Sequence, residues 1–446
     1  MTRSLAVLTR PLRDKTVLAA LRGGSWALVG TFVGRVANVG ALLLAARHLG
    51  STQFGGMSLA LSTMLVVSSV SALGLPIAAQ KLVAEAREVD PVRRDRLIDL
   101  ALGLTAAVGL VTMIGGALSS VWVAGGILHQ RDIAPLLAVA SILILTTPMT
   151  EVVAGLLAAL ENFRTLGLFR AVHGTLCGVC LVVVLFSTSS AMAPLGALAA
   201  AEALACVLGL WLVRSARGPR SDGPGTARAG RTDWLIEARA LLRIAMPALI
   251  GSVSLQPALW LGQVLLSRQP DGLAHVGTFA VAMRWHSIAV FAPVTMGSVL
   301  LPMLGRLRAT GRSTDAQALF VRYGALMLAL STATCLVLVA FAGPLMGLQG
   351  SEYSVAADVL VVLAVAIVPV ALNNVLSDRA LAEGRIALWV CSDVAFAIVL
   401  AAGAVALVPP LGGIGLAWAY LAAYVATCLV LLRIARAAWS PAEAPA

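Results

Sequence analysis

The chain has 446 residues, of which 59% are hydrophobic and 12% are charged, and its formal net charge is +11. An ordinary soluble domain carries about 25% charged residues, so this composition excludes a soluble enzyme and, more firmly, a disordered protein. The class that remains is a membrane protein with many spanning helices.

Twelve apolar runs have about the 20 residues that an α-helix needs to cross a bilayer. We number these predicted membrane-spanning helices spans 1 to 12. In chain order they occupy residues 25–46, 56–78, 97–123, 134–156, 165–187, 192–213, 241–264, 274–301, 320–342, 355–377, 386–408 and 413–433. No loop between them is long enough for a second folded domain, so the predicted fold class is an all-α polytopic membrane protein.

The basic residues predict how the chain is oriented, because cytoplasmic loops of membrane proteins carry an excess of Lys and Arg. With the N-terminus inside, 27 of the 32 basic residues lie on the cytoplasmic side and three lie outside. Both termini are therefore predicted to be cytoplasmic, and the positive charge requires no nucleic acid as a partner. Arg35 and Arg284 are the two basic residues that fall inside spans.

A linker divides the spans into two groups of six. Residues 214–240 begin with a stretch rich in Arg, Gly and Pro, which is typical of a flexible connection, and end in a short amphipathic helix that leads into span 7. The predicted organisation is a cytoplasmic segment 1–24, an N-lobe 25–213, this linker, a C-lobe 241–433 and a cytoplasmic tail 434–446.

The two lobes are predicted to be repeats of one another, since four features recur at a separation of 219–222 residues. These are Gly55 and Gly277, Pro148 and Pro369, the tracts 159–164 and 380–385, and the tracts 195–198 and 414–417. An even number of spans in each lobe makes the repeats parallel and relates them by an axis along the membrane normal. Two such bundles enclose a cavity at the bilayer midplane, which is the architecture of a transporter. The two prolines are its predicted hinges.

Polar residues on spans 1 and 7 predict the lining of that cavity. One face of span 1 carries Thr31, Arg35 and Asn38, and the equivalent face of span 7 carries Ser252, Gln256 and Gln263. An arginine at the bilayer centre costs about 2.5–3.5 kcal/mol on insertion scales, so it faces a cavity or a partner. We expect Arg35 to line the cavity. The alternative is that it pairs with a carboxylate in the membrane and only holds helices together.

Arg284, early in span 8, is the second predicted cavity residue. His286 lies two positions further along and about 200° around the helix, so the two side chains cannot face the same cavity. We assign the cavity to Arg284 and expect His286 to be packed against other helices.

Three carboxylates inside spans are candidates for ion or proton coupling: Glu151, Glu202 and Asp393. Removal from water favours the protonated form of a carboxyl group, which lets it take up a proton. The alternative is that they pair with Arg35 or Arg284. Two further residues of span 5, Arg170 and His173, are interpreted as a pair near the inner membrane surface.

No metal or cofactor is predicted. All six cysteines lie in spans, and the redox-like spacing of Cys177 and Cys180 occurs in an apolar helix, where packing is the expected role. The sequence has no P-loop and no Gly-x-Ser-x-Gly motif. Energy from ATP would therefore need another chain.

A series of short tracts is similar, in sequence and in order, to one family of transporters. The loop after span 1 reads Ala-Arg-His-Leu-Gly at 46–50 and Gln-Phe-Gly at 53–55. Further similar tracts are 71–75, 155–157, 162–164, 282–284, 300–302, 350–353 and 412–417. Together, over about residues 20–433, they resemble the polysaccharide-transporter family, the Wzx-type oligosaccharide-lipid flippases of the MATE-like MOP superfamily.

The resemblance implies a substrate, which is an oligosaccharide linked to polyprenyl pyrophosphate, such as a repeat unit of O-antigen, exopolysaccharide or capsule. Such a transporter moves the substrate from the inner to the outer leaflet by alternating access. The resemblance also implies the bacterial inner membrane, a monomer among membrane lipids, and glycosyltransferases and a polymerase of the same pathway nearby. The residue chemistry agrees, because arginines suit a pyrophosphate and the neutral polar stripe suits sugar hydroxyls.

Four alternatives remain open. Lipid II flippases resemble fourteen-span proteins with several arginines in their first two spans, whereas this chain has twelve spans and no charge in span 2. A multidrug or cation exporter of the same superfamily needs an acidic cavity. A membrane glycosyltransferase, polymerase or ligase needs catalytic side chains on substantial outer loops. The last alternative is a scaffold that transports nothing.

Overall fold

A computed structural model describes residues 15–188, 190–217, 231–309, 313–382 and 386–437 of the chain. Within these ranges the chain forms helices joined by short turns, without a β-strand. A bilayer favours this arrangement, since a helix satisfies its backbone hydrogen bonds internally.

We label the α-helices in chain order. They are α1 (15–49), α2 (51–71), α3 (Leu75–Ala86), α4 (Pro91–Trp122), α5 (Ala134–Ala140), α6 (Ile142–Ala159), α7 (Phe163–Leu185), α8 (Met192–Ala216), α9 (Arg231–Ser267), α10 (Gly272–Ala309), α11 (Ser313–Ala340), α12 (Ala342–Gly347), α13 (Ser351–Ser354), α14 (Ala357–Ala382), α15 (386–411) and α16 (413–437). A π-helical turn, Val123–Ile127, follows α4, and a 3-10 turn, Arg131–Ile133, precedes α5.

All twelve predicted spans are helical, which confirms the predicted fold class. Eight stretches of the described chain are long and apolar enough to cross a membrane, and two of them, Trp26–Ser71 and Leu388–Arg433, contain two spans each. Helices α9 and α10 contain spans 7 and 8. Large apolar side chains such as Leu118 and Trp122 of α4 are 81% and 68% exposed, as expected for a surface that faces lipid.

Single glycines separate the helices of each 46-residue stretch. Gly50, between α1 and α2, has φ 76° and ψ 169°, and Gly412, between α15 and α16, has φ 60° and ψ −135°. Glycine adopts a positive φ without the steric penalty that a Cβ imposes. The chain can therefore leave one spanning helix and enter the next with no intervening loop.

The helices extend past the predicted ends of the lobes. The predicted amphipathic helix at the end of the linker is not a separate element, because α9 runs continuously from Arg231 through span 7. Helix α1 begins at Lys15, inside the predicted segment 1–24, and α16 continues to 437. Extending an existing helix fixes one residue for each hydrogen bond gained, so polar flanks join it readily. The middle of the linker, 218–230, lies outside the described residues.

Helix α6 runs through Pro148 without a break. A proline has no N–H, so the carbonyl four residues earlier, that of Ile144, loses its helical partner. The hydroxyl of Ser71 donates to this carbonyl at 3.2 Å. A side chain at the end of α2 thereby replaces the hydrogen bond that the predicted hinge removes. Pro369 likewise lies within a continuous helix, α14.

Residues related by the internal repeat meet at the interface between the lobes. A Cβ on Gly55 of α2 would lie 1.8 Å from the carbonyl oxygen of Leu273, and a Cβ on Gly277 of α10 would lie 2.1 Å from that of Ser51. Leu273 follows Ser51 by 222 residues, and Gly277 follows Gly55 by the same number. Each contact is therefore the image of the other, as a two-fold axis requires.

Side chains from both lobes close the side that the charge distribution predicts to be outside. The hydroxyl of Ser51 donates to Glu352 Oε2 at 2.6 Å, and the hydroxyl of the fully buried Tyr353 donates to the carbonyl of Ala46 at 2.9 Å. In the other direction, Gln130 Nε2 donates to the carbonyl of Ser267 at 2.7 Å. We call the contact of residues 46–55 and 127–130 with residues 267–277 and 350–353 the outer seam.

On the predicted cytoplasmic side, the beginning of α9 packs on the N-lobe. Leu241 and Ala245 belong to a buried apolar cluster that otherwise consists of N-lobe residues. Beside it, Arg93 Nε donates to Glu237 Oε1 at 2.8 Å. This hydrogen bond and ion pair hold the pKa of Arg93 above its usual value.

Candidate functional site

The two span arginines face each other across the interface between the lobes. Arg35 lies 14 residues before the outer end of α1 and Arg284 lies 12 residues after the outer start of α10. At a rise of about 1.5 Å per residue, both are near the middle of a bilayer core about 30 Å thick. They are close enough for their positive charges to repel each other.

An aromatic residue of the C-lobe supports Arg35. The guanidinium carbon of Arg35 lies 5.4 Å from the ring centroid of Phe291, and the ring of Phe32 lies 5.4 Å from the same ring. Phe291 is seven residues after Arg284, so both lie on one face of α10. The cation–π contact places Arg35 against the opposite lobe, so its side chain does not point into the lipid.

The ion pairs formed by the described residues include neither Arg35 nor Arg284. The positive charges thus remain available to an anionic ligand. Like charges held together in the membrane repel each other at a cost that a bound anion would relieve. This geometry favours cavity lining over the alternative in which Arg35 only pairs with a carboxylate.

The polar stripe of span 7 also points toward the N-lobe. Trp260 Nε1 donates to Thr63 Oγ1 of α2 at 2.9 Å. Gln256 and Gln263 lie four residues before and three after Trp260, on the same helix face. Gln256 is exposed, and Gln263 Oε1 is buried without a hydrogen-bond partner. Ser252 is in α9, and its side chain lies outside what the structure describes.

The remaining predicted residues of span 1 are half-buried. Thr31 donates to the carbonyl of Ala27 at 2.8 Å, within its own helix. Asn38 is two turns further along α1 on the same face. One turn of α1 also packs directly on α7, because Gly34 carries no Cβ, which would lie 2.3 Å from the carbonyl oxygen of Arg170.

His286 is a packed residue of the C-lobe, as the angle between it and Arg284 predicts. Its side chain is 2% exposed, its Nδ1 lies 2.8 Å from the carbonyl oxygen of Leu363, and its Nε2 lies 3.4 Å from the hydroxyl of Tyr420. The short contact to a carbonyl requires a proton on Nδ1. His286 therefore joins α10 to α14 and α16.

The carboxylates of the N-lobe have other partners than those predicted. Glu151 pairs with Arg170, whose Nη2 lies 2.8 Å from Oε2, and Glu202 pairs with His173, whose Nε2 lies 3.0 Å from Oε2. The interpretation of Arg170 and His173 as an interfacial pair is wrong. Each instead faces a carboxylate on a neighbouring helix, because α4–α8 packing turns this side of α7 inward.

The third carboxylate, Asp393, lies in a cluster of aromatic residues in the C-lobe. It is half-buried and interacts electrostatically with Tyr424. The rings of Tyr424 and Phe396 are 4.4 Å apart, and those of Tyr424 and Tyr420 are 5.0 Å apart.

One group of side chains has donors of the kinds that bind metals. His173, Cys177 and Glu202 each offer one such atom, and these atoms lie within 4.8 Å of one another. His173 and Glu202 already satisfy each other in an ion pair, and Cys177 Sγ lies 3.8 Å from Glu202 Oε1. We interpret the group as a polar network, which needs no metal ion to be stable.

Sequence reasoning missed the residues that meet only in the folded chain. Phe291 and Trp260 are aromatic residues in apolar helices, and nothing in their surroundings distinguishes them from lipid-facing residues. Glu352 and Tyr353 belong to a tract that resembles the transporter family. Their acidic and aromatic character in an outer loop was the available signal.

The fold and the position of the arginines define a membrane transporter built from two six-helix lobes. The structure resembles that of a multidrug resistance MATE family transporter of the MOP superfamily in its inward-facing conformation, with a TM-score of 0.79, 13% identity, and coverage of 93% of this chain and 100% of the other. The outward-facing conformation of a MATE family transporter gives a TM-score of 0.64 at 14% identity, covering 96% and 97% of the two chains. The inward closed lipid II flippase MurJ gives 0.73 at 12% identity, covering 92% and 87%. At such low identity these likenesses establish the fold.

The chain belongs to the polysaccharide biosynthesis protein family, whose sequence profile it matches over residues 20–308. It is 27% identical over 401 residues to the EPS I polysaccharide export inner membrane protein EpsE of Ralstonia solanacearum, which covers 88% of this chain and 87% of that protein. The predicted family membership is thus confirmed.

Proposed function

We propose that this protein is a flippase of the bacterial inner membrane that moves a polyprenyl-pyrophosphate-linked oligosaccharide from the inner to the outer leaflet. Membership of the polysaccharide biosynthesis family and similarity to a polysaccharide export protein of the inner membrane support this function. The substrate is the repeat unit of a surface polysaccharide, and the transport mode is alternating access of a site between the lobes.

The pair of arginines between the lobes is the observation that carries this proposal. The head group of such a substrate bears the negative charges of a pyrophosphate, and moving phosphate charge through hydrocarbon without a partner costs many kcal/mol. Arg35 and Arg284 offer charge-assisted hydrogen bonds near the middle of the membrane. Gln256, Gln263, Thr31, Asn38 and Ser252 are the proposed partners of the sugar hydroxyls, and the prenyl chain stays in lipid.

The closed outer seam supports the view that the structure corresponds to the state that loads substrate from the cytoplasmic side. The seam joins the lobes on the side predicted to be outside. A substrate made in the cytoplasm must enter from the opposite side. Transport then requires the seam to open, with Pro148 and Pro369 as proposed hinges.

The chemistry of the site argues against the export of cations. A cationic drug would meet two arginines, and like charges repel strongly where little water screens them. In the N-lobe, both carboxylates within spans are already paired. The proposed role is transport alone, and glycosyltransferases and a polymerase of the same pathway are the expected neighbours.

Replacement of the arginines tests the proposal. In a strain that lacks the native gene, we expect Arg35→Ala and Arg284→Ala each to reduce surface polysaccharide at least tenfold, because one charge-assisted interaction contributes about 1.5–3 kcal/mol. Lipid-linked repeat units should accumulate inside. Arg433→Ala, at an exposed position near the end of α16, is the matched control. Wild-type polysaccharide in both cavity variants, at normal protein levels in the membrane, would refute the proposed site.

A further inference from the structure

Four charged or titratable residues form a network in the N-lobe that the proposed transport of substrate does not use. We call Glu151 of α6, Arg170 and His173 of α7, and Glu202 of α8 the N-lobe quartet. His173 and Glu202 each lie ten residues from the start of their helices, or about 15 Å along the helix, which is near the middle of the membrane.

The geometry points to a proton-binding site at His173 and Glu202, whose occupancy is linked to opening and closing of the outer seam. This inference rests on the proposed transport cycle. Its test requires no transported substrate. The proton would enter from water and reside on the imidazole, converting a neutral histidine beside a carboxylate into an ion pair.

The charges of the quartet show why a proton is the natural ligand. Arg170 contacts both oxygens of Glu151, at 2.9 and 2.8 Å, and compensates its charge permanently. Glu202 has a cationic partner only while His173 is protonated. The quartet is therefore neutral with the proton bound and has one excess negative charge without it. Histidine is the side chain that exchanges a proton near neutral pH.

The surroundings of the pair strengthen the electrostatic contribution of the proton. The side chains of His173 and Glu202 are each 16% exposed, so little water screens their charges. The ring of Phe169 stacks on His173 with centroids 5.8 Å apart. Cys177 contacts Glu202, and Cys206 of α8 also interacts with it.

Charges on the other packed helices leave His173 in control. From α6, Glu151 faces both Arg170 and His173, and from α7, Arg170 interacts with Glu202 as well as with Glu151. Helix α1 packs on α7 mainly through glycines, and its charged residue at this level, Arg35, points toward α10. The fixed charges of Arg170 and Glu151 cancel, so proton binding to the pair sets the net charge.

A direct backbone contact connects this pair to the moving parts. A Cβ on Gly174 of α7 would lie 2.2 Å from the carbonyl oxygen of Gly34, and one on Gly34 would lie 2.3 Å from that of Arg170. Helix α1 thus lies against α7 at the level of the quartet. The next residue, Arg35, lines the proposed substrate site, and the outer end of α1 belongs to the outer seam. A change in packing around His173 therefore reaches both.

Distance measurements between spin labels test the inference. Labels on unnatural ketone-bearing residues at Asp132 and Val355, both exposed on the outer side, leave the native cysteines in place. In the full-length protein in nanodiscs, we expect the short-distance, seam-closed population to grow as the pH falls from about 8.5 to 5.5. The ratio of closed to open states should change by up to tenfold per pH unit, the limit for one linked proton.

Variants assign the response. His173→Gln and Glu202→Gln should each abolish the pH transition, and His173→Lys, which keeps a permanent cation, should stay closed at every pH. Asp393→Asn and His275→Gln should retain the transition, as should Arg284→Ala. The last variant separates this test from that of the substrate site.

Three outcomes would overturn the inference. One is a wild-type distance distribution that does not depend on pH, and another is a transition that persists in His173→Gln. If His173→Gln does not fold, persistence of the transition in His173→Lys has the same meaning. The third is loss of the transition in Asp393→Asn, which would place the proton in the C-lobe.

Discussion

Charged residues within the membrane fall into two groups according to their partners. Arg170 lies against Glu151, and its charge is compensated within the N-lobe. Arg35 lies against an aromatic ring and near a second arginine. The first arrangement stabilises the packing of α6 on α7. The second has a net positive charge that awaits an anion, and this difference separates the structural arginine from the proposed functional ones.

Charge reversal at Arg35 provides a stricter test than its removal. We expect Arg35→Glu to lower surface polysaccharide further than Arg35→Ala does, because a carboxylate repels the pyrophosphate and also pairs with Arg284. An added loss of about tenfold corresponds to roughly 1.4 kcal/mol of repulsion. Quantitative immunoblots of surface polysaccharide, normalised to protein in the membrane, measure the difference. Equal losses in both variants would instead indicate that Arg35 serves in packing.

At the scale of helices, glycines determine how closely neighbours approach. Gly55 and Gly277 let α2 and α10 meet backbone to backbone at the outer seam, and Gly30 and Gly34 do the same for α1 on α7. Small residues are the usual means by which membrane helices gain van der Waals contact, since apolar side chains gain nothing by leaving lipid. The first contact joins the two lobes and must open during transport, whereas the second is within one lobe.

A side chain at Gly55 is expected to favour the open seam. In Gly55→Ala the Cβ would clash with the backbone of Leu273, and such overpacking costs typically 1–3 kcal/mol. The closed state should lose population by about five-fold to more than a hundred-fold, seen as faster modification of thiols introduced at the seam. Gly40→Ala is the matched control, because a Cβ at this position of α1 has nothing within 4 Å. Identical labelling rates in the two variants would contradict the proposed role of the glycine contact.

At the scale of the whole molecule, the lobes are related by a two-fold axis, and their differences are concentrated in charge. The seam contacts repeat in each direction, yet the intramembrane ion pairs described here belong to the N-lobe. The C-lobe has instead a buried histidine among tyrosines. Duplication produces a symmetric frame that opens about its axis, and later divergence assigns different chemistry to its halves.

Covalent closure of the seam should stop transport. Ser51 and Glu352 are in hydrogen-bond contact across the lobes, so a short, reducible thiol cross-linker should bridge the double variant Ser51→Cys, Glu352→Cys. We expect surface polysaccharide synthesis to fall at least tenfold on cross-linking and to recover after reduction. Each single variant treated with the same reagent is the control. Continued synthesis with complete cross-linking would show that the seam need not open.

The fold was predictable because hydrophobicity and length alone decide which segments cross a membrane. All twelve spans, the relation between the lobes, and the location of Arg35 and Arg284 within spans follow from local sequence. The partners of Glu151 and Glu202 did not, because several helices could have presented a cation to them. Rotation of α7 about its axis decides that pairing, and this rotation depends on glycine contacts with α1 that no single segment encodes.

The length, low charge and basic excess of the chain thus determine by themselves that it is a membrane protein with two repeated bundles and cytoplasmic ends. They also isolate two arginines that neither side of the membrane accounts for. Only the tertiary structure decides that these arginines face each other between the lobes and that the outer side is closed. It alone shows that a histidine pairs with a carboxylate at mid-membrane. Hydropathy acts on each segment separately, whereas ion pairs and gates require side chains from distant segments to meet.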